Sequence, residues 1–444
     1  FGTLNLLATN TIAQGDTREA SLDEISRANG NIFDAIQSRP WPGSASVHVS
    51  VVQIFKGLYG GERCLNGHIV TSISSLLDDG DSREKPKRLA ANVGLGFIGS
   101  YVLGKGFVMS PDEAQFLVSR DKRNSDVLFP FLNGEDLNQS LDQSPRRWII
   151  NFFDWPLDRE SASADYAGPV AADYPECLGI IEERVKPERT RLDEHGEYAL
   201  AKDYVEQWWK YGRRAVKLYG ALSSLDRVLA CALVSKYLSF VFVPRGWVYS
   251  HACGVVADAR DETFAVLQSS VHEAWAKSQG STMKSDPRYT PSDCFETFPF
   301  PVYTTMLATA GSQYNTARQA ALATLGLGLT SLYNAFHDQH RNDRCLGILR
   351  EALVALDRAV LDSYGWSDLQ AVHGFRGTEQ GERYTIDVSA RREILRRLYE
   401  LNHEQYANEV RAGLHTTLKA PKEGPKHAMD VEEATDDTQL GLFG

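Results

Sequence analysis

Several features that would narrow a function quickly are missing from this sequence. No stretch approaches the ~18 consecutive apolar residues of a membrane span, and no basic-then-apolar leader opens the chain. The expectation is therefore a cytoplasmic protein with neither a span nor a secretory signal. Cysteine is scarce and scattered: Cys64, Cys177, Cys231, Cys253, Cys294 and Cys345 form no CxxC pair and have no matching His pair. That pattern argues against a zinc site and against a disulfide framework, so no metal is expected and the thiols read as reduced and mostly buried. His251 and Cys253 stand close in sequence, but two ligands without two more nearby read as a chance neighbourhood. Positive charge is not in excess either, since the formal net charge is -11. A uniformly basic nucleic-acid binder is excluded, because phosphate neutralisation needs clustered Lys and Arg.

What is present is a chain of 444 residues, 43% hydrophobic, too long for one compact core and too apolar to be disordered. Two or three domains are expected. The charge is unevenly spread. Acids gather between Asp154 and Glu197 and again at Asp430, Glu432, Glu433, Asp436 and Asp437, whereas the segment from Lys202 to Arg245 is basic. There Lys202, Lys210, Arg213, Arg214, Lys217, Arg227, Lys236 and Arg245 face only Asp203, Glu206 and Asp226. Such a segment is compatible with a local DNA-facing surface and equally with a solvated helix face.

The chain enters an apolar run at once, Leu4 to Thr9, which reads as a buried strand in a domain entered midway. A polar loop from Asn10 to Arg18, a short helix through Leu22 and Ile25, and strands at Asn31–Ile36 and Val47–Phe55 follow, like the closing strands of an α/β sheet. The charged Asp78–Arg88 link marks a boundary. Beyond it, Trp148–Phe153, Tyr237–Val243 and Thr263–Gln268 read as strands and Tyr204–Leu225 as helical, until the proline-rich run Phe295–Pro301. From about Thr316 the chain turns helical, and Leu346, Leu349, Leu353, Leu356 and Val360 carry the stripe of a packed amphipathic helix. A stop at Tyr364-Gly365-Trp366 precedes a further helix through Ile394, Leu395, Leu398 and Leu401.

Gly94-Leu95-Gly96-Phe97-Ile98-Gly99 matches the G-x-G-x-x-G string of dinucleotide sites. The preceding Lys87–Asn92 is a poor buried strand, and Gly104 and Gly106 fall where a phosphate-binding helix would begin. A Gly-rich turn or β segment is the better reading. A nuclease of the Asp/Glu-x-Lys type is unsupported, because Pro111-Asp112 is not followed by a strand bearing that triplet.

Longer blocks carry a resemblance. Leu6–Arg18, Arg39-Pro40-Trp41-Pro42-Gly43 with the strand through Phe55, Phe129–Asn138, Arg147–Phe152, Ser235-Lys236-Tyr237, Phe264–Ser270 and Phe298–Pro301 together resemble bacterial adenine-specific (N6) DNA methyltransferases. The likeness is to the C-terminal part of the large restriction-modification type, and it extends to Leu332-Tyr333-Asn334 and Tyr364-Gly365-Trp366. The family's Asn/Asp-Pro-Pro-aromatic loop and its cofactor-binding Gly-rich loop are not in this sequence: Pro-Pro never occurs, and Asn151–Pro156 echoes the motif in the wrong order.

The resemblance implies an α+β chain made of the end of an α/β methyltransferase sheet (1–77), a mixed α/β target-recognition domain (78–305), a helical region (306–417) and a flexible acidic tail (418–444). It implies sequence recognition on double-stranded DNA for adenine methylation in a restriction-modification or phage-defence system, with no catalytic residue in this chain. S-adenosylmethionine would belong to the complete enzyme, with Asn10, Thr11 and Gln14 bordering its pocket and Trp41 stacking on the extruded base or packing between its two prolines. Lys236, Arg245, Ser250, His251, Gln268, Lys284 and Arg288 are the candidate DNA contacts, since Lys and Arg reach phosphates while Arg, Gln and Ser can read base edges. A separate chain carrying the methyltransferase core is a possible partner. The alternative is a non-catalytic DNA-binding or interaction subunit that keeps the recognition fold.

Overall fold

The opening apolar run forms a strand, β1 (Thr3–Thr9), in a computed structural model that describes residues 2–13, 15–44, 47–79, 84–283, 286–378 and 380–415. It is an edge strand, not a buried one. With β2 (Gly30–Pro40), β3 (His48–Lys56), β4 (Arg63–Leu65) and β5 (His68–Val70) it makes a sheet of order β1-β3-β2-β4-β5. β3 runs antiparallel to both β1 and β2, and β4 runs parallel to β2. Alternation decides burial: Leu6 and Ala8 pack on a core built around Leu22, Ile32, Ala35, Val52, Ile54 and Leu77, while Leu7 points the other way and is 58% exposed.

The middle of the chain supplies β6 (Gly96–Ile98), β7 (Val108–Met109), β8 (Leu128–Leu132), β9 (Arg147–Ile150), β10 (Arg227–Ala232), β11 (Val241–Pro244), β12 (Val248–Tyr249) and β13 (Cys253–Val256). They form two four-stranded sheets, β11-β10-β13-β6 and β12-β8-β9-β7. The first is antiparallel throughout and reads as an apolar run because β10 and β13 are buried along nearly their whole length. The glycine string lies here as a turn leading into a strand, with β6 at its centre. A Cβ on Gly99 would stand 2.2 Å from the Ser250 carbonyl oxygen and 2.5 Å from that of Tyr249, so glycine serves close backbone approach.

Two expected strands come out differently. Thr263–Gln268 belongs to a helix, α1 (Asp261–Gln268), whose Thr263, Phe264, Ala265, Val266, Leu267 and Gln268 are all buried. A helix buried all round has no polar stripe, so its sequence looks like a core strand, and only Asp261 and Glu262 in the first turn betray it. Of Tyr237–Val243, only the last part becomes β11. The Phe240 N–H donates to Gln268 Oε1 at 2.9 Å instead of to a strand.

Next come α2 (Ser270–Gln279), capped by Ser269, and the short hairpin β14 (Ser281–Met283) and β15 (Asp286–Arg288). The helical region begins with α3 (Thr305–Leu325), earlier than Thr316, because the Thr304 hydroxyl caps the Leu307 N–H directly after the prolines. α4 (Leu329–Phe336) and α5 (Arg344–Ser363) follow, and every residue of the expected α5 stripe is buried. Gly365, at φ 75°, ends that helix as the Tyr-Gly-Trp stop implied. A hairpin not anticipated from the sequence, β16 (His373–Thr378) and β17 (Gly381–Ile386), precedes α6 (Val388–Arg411). One core unites the β10–β13 sheet with α1 to α6, while a second lies beneath β7, β8 and β9. Tail residues 418–444 fall outside the described residues.

Candidate nucleic-acid interface

Strand register fixes which charged residues share an edge. Ala232 at the end of β10 pairs with Cys253 at the start of β13, and Gly254 pairs with Ile98. The segments just beyond, Leu233–Lys236 and His251–Ala252, therefore emerge at one end of the sheet. β15 joins them, because the Tyr289 N–H donates to the Leu233 carbonyl at 2.7 Å and Val234 bridges Arg288. A small pocket on this edge is lined by Lys236, Arg288 and Lys277 of α2, with Glu273 as its one acid.

The edge is held in place by the helical region. Lys236 Nζ donates to Asn334 Oδ1 on α4 at 2.6 Å, and Tyr237 Oη donates to the same oxygen at 2.8 Å. Glu273 accepts from Lys277 at 2.8 Å. Burial alone would raise its carboxyl, but Lys277, with Arg391 and His337, holds it down to about 2. Glu273 is thus an anion that keeps Lys277 in place, and the edge remains net positive.

The expected DNA-binding residues divide by position. Lys236, His251 and Arg288 are exposed at this edge, with the His251 ring set edge-on to Tyr101, 5.1 Å between centroids. Arg245 is exposed at the opposite end, after β11, where it donates to the Ser223 carbonyl. One strand length, about 17 Å, separates the two ends, a span that a single duplex can bridge. Lys284 lies outside the described residues.

Ser250 and Gln268 do not face outward, which corrects the expectation that they read base edges. The Ser250 residue is 4% exposed, and its oxygen accepts from the Ala252 N–H at 3.2 Å. Gln268, 9% exposed, accepts from Phe240 N–H and from Arg318 Nη1 and donates to Tyr333 Oη. Both are polar because buried backbone and guanidinium groups require partners there.

Much of the Lys202–Arg245 charge is structural too. Lys210 and Arg214 converge on Asp154, burial lowers the Lys210 ammonium, and Arg227 lies 3.7 Å over the Phe242 ring while pairing with Asp261. Lys277, which the sequence did not single out, lies outside that basic segment. Lys277 could have been found from its i,i+4 spacing to Glu273, had α2 been recognised.

In the first unit, Asn10 and Thr11 form a 3-10 turn after β1, with the Thr11 hydroxyl 2.7 Å from that of Thr9. Gln14 lies outside the described residues. Two polar side chains on an open turn do not by themselves enclose a sulfonium cofactor. Trp41 is 38% exposed and folds over its own loop against Gly43, with its backbone N–H donating to the Val47 carbonyl. His251 and Cys253 do not converge on a metal: Cys253 is fully buried, its thiol 3.6 Å from the Leu132 carbonyl, and no group of three or more His, Cys, Asp or Glu among the described residues could hold an ion. The thiols are free, and no helix among the described residues is long and apolar enough to cross a membrane.

Comparison with known proteins gives three findings. No curated protein matches the chain. A solved structure, that of the Type IIL restriction-modification enzyme MmeI in complex with DNA, has the same fold with a TM-score of 0.66 at 17% identity. The similarity covers 91% of this chain but 50% of MmeI, so the chain spans half the length of that enzyme. Residues 228–302, from β10 to just past the Phe-Pro run, match the model of the MmeI target recognition domain.

Proposed function

We propose that this chain docks onto double-stranded DNA and selects the sequence at which a restriction-modification enzyme methylates adenine at N6. One coincidence carries the reading. The segment similar to the MmeI target recognition domain contains β10, β13, α2 and β15, the elements whose ends gather Lys236, Lys277 and Arg288 on one positive edge. Lys236, Lys277 and Arg288 on that edge would anchor phosphates, while His251 would reach a base edge in the major groove. Arg245 would take a phosphate further along the duplex.

The methyl transfer itself needs an Asn/Asp-Pro-Pro-aromatic loop and a pocket for S-adenosylmethionine. Neither motif occurs in this sequence, so in this proposal both come from polypeptide beyond it, whether continuous with this chain or separate. What this chain contributes is position: it holds the duplex so that the chosen adenine can leave the stack.

The test is selection from a randomised duplex pool, followed by incubation of the enriched DNA with labelled S-adenosylmethionine. The chain alone should enrich a defined sequence and transfer no label. Adding a polypeptide that carries the two motifs should label adenine within that sequence. No enrichment over the input pool would refute the recognition reading, and label on adenine from the chain alone would refute the division of labour.

A further inference from the structure

The β16–β17 hairpin carries an arrangement that its own fold does not explain. Arg376 and Arg383 are register partners directly across the ladder. Residues opposite each other in an antiparallel pair share a face, with Cβ atoms about 5 Å apart, and like charges there repel. Neither guanidinium forms an ion pair with a carboxylate among the described residues. Arg383 is 5% exposed, and its Nη2 is buried without a hydrogen-bond partner; Arg376 Nε is buried in the same condition. Arg376 Nη2 donates to the Val372 carbonyl at 3.2 Å, but a buried, unmatched N–H on each of two arginines that share one hairpin face is a costly arrangement unless something negative completes it.

Further cations stand close, against the opposing charge of Asp387 near Arg376. Arg391 of α6 reaches this face by donating to Thr385 Oγ1 at 3.0 Å. The Arg383 guanidinium lies 4.4 Å from the centre of the Tyr237 ring, whose other cationic neighbour is Lys236 at 5.2 Å. Asp387, at the foot of the hairpin, already accepts from Val372 N–H, Ser389 Oγ and Ala390 N–H. Space exists beside the pair, because a Cβ on Gly381 would meet nothing within 4 Å and one on Gly374 only Arg376 Nη2 at 4.0 Å.

We infer that the Arg376–Arg383 pair is a phosphate site, and that its occupant is a backbone phosphodiester of the bound duplex. The assignment of the occupant rests on the DNA-docking reading. It extends the footprint from the segment 228–302 onto a hairpin well beyond it, with Tyr237 joining the two. Planar guanidinium forks suit a tetrahedral oxyanion, and two of them supply the donors that are now unmatched.

The experiment uses the full chain, the double variant Arg376→Gln/Arg383→Gln, and the single variant Arg376→Lys, which keeps the charge and loses the fork. The first arm contains no DNA. Inorganic phosphate, against chloride at equal ionic strength, should raise the melting temperature of the wild-type chain saturably and that of the double variant not at all. The second arm measures affinity for a randomised duplex against salt. In the double variant the slope of log K on log salt should become shallower by about 0.9 for each phosphate that is no longer neutralised, while Arg396→Gln, on the exposed face of α6, should leave it unchanged. Arg376→Lys should keep the slope and lose most of the phosphate-induced rise. Absence of a phosphate effect on the wild type overturns the site. A phosphate effect that the double variant abolishes, with an unchanged DNA slope, overturns the backbone assignment in favour of a free phosphate. A wild-type chain that binds no duplex sinks the docking reading, yet the first arm still decides the anion site.

Discussion

Replacing Gln268 by alanine separates a base-reading residue from a structural one. In the folded chain Gln268 Oε1 accepts from the Phe240 N–H at 2.9 Å and from Arg318 Nη1 at 3.2 Å, and its Nε2 donates to Tyr333 Oη at 3.3 Å. Arg318 is fully buried, has no carboxylate partner among the described residues, and already holds a partnerless Nε. Alanine would strand the Phe240 N–H and remove one of the few acceptors the guanidinium has. Each buried donor left unsatisfied costs about 1–3 kcal/mol, and more when it is charged. With the cavity left by the truncated side chain, the total comes to about 3–5 kcal/mol. Gln268→Met fills the cavity without restoring an acceptor and should fall between. Urea unfolding followed by tryptophan fluorescence reports on this core, since Trp275 is fully buried within it. A Gln268→Ala chain within about 1 kcal/mol of wild type, with altered base preference in duplex selection, would refute the reasoning.

His373 Nε2 and Asp357 Oδ2 are 2.7 Å apart with side chains 3% and 2% exposed, and Asp357 also receives the Ser270 N–H. Removing one partner of a buried pair costs about 3–5 kcal/mol, so His373→Ala should lower the urea midpoint markedly, and an unchanged midpoint would contradict the pairing. Burial holds His272 and His337 down to about 3, with Arg383, Lys277 and Arg350 adding to the effect at His337 and Glu273 opposing it. Between pH 6.5 and 3 the unfolded chain therefore takes protons that the folded chain refuses. Their contribution is complete above pH 6.5 and declines as pH falls, by up to about 1.4 kcal/mol per unit for each histidine. Stability measured from pH 7 to 4 should show this slope, and His272→Phe with His337→Phe should flatten it; equal slopes would refute the assignment. Gly99→Ala should abolish stable folding, because backbone carbonyl oxygens occupy the Cβ position. A folded, thermally unaltered Gly99→Ala chain would contradict the close backbone approach at this position.

The elements legible in the sequence were those whose pattern exceeds their surroundings. The α5 stripe and the Tyr-Gly-Trp stop stood out because one face is apolar and the other charged. α1 did not, since burial on every side erases periodicity, and the β16–β17 hairpin did not, since its apolar face of Phe375, Tyr384 and Ile386 is divided between two short strands and interleaved with Gly, Arg and Thr. The exposed candidates Lys236, Arg288 and His251 were identifiable as residue types, but their gathering at one edge depends on the pairing of β10 with β13 and on the β15 bridge. Ser250 and Gln268 were misjudged for a physical reason: a side chain suited to a base edge is equally suited to a buried backbone amide. Residue type alone does not distinguish the two.

The central claim is that this edge engages duplex DNA by neutralising its phosphates. The most direct measurement is fluorescence anisotropy of the full chain with a labelled duplex across 50 to 200 mM salt. With Lys236, Lys277, Arg288 and Arg245 each neutralising a phosphate, the expected slope of log K on log salt is about −3.6, steepening by about 0.9 per phosphate if the hairpin pair also engages the backbone. The Lys236→Ala/Arg288→Ala variant should forfeit about half of the share that those four cations supply. Affinity independent of salt, or an equal slope in that variant, would contradict the account.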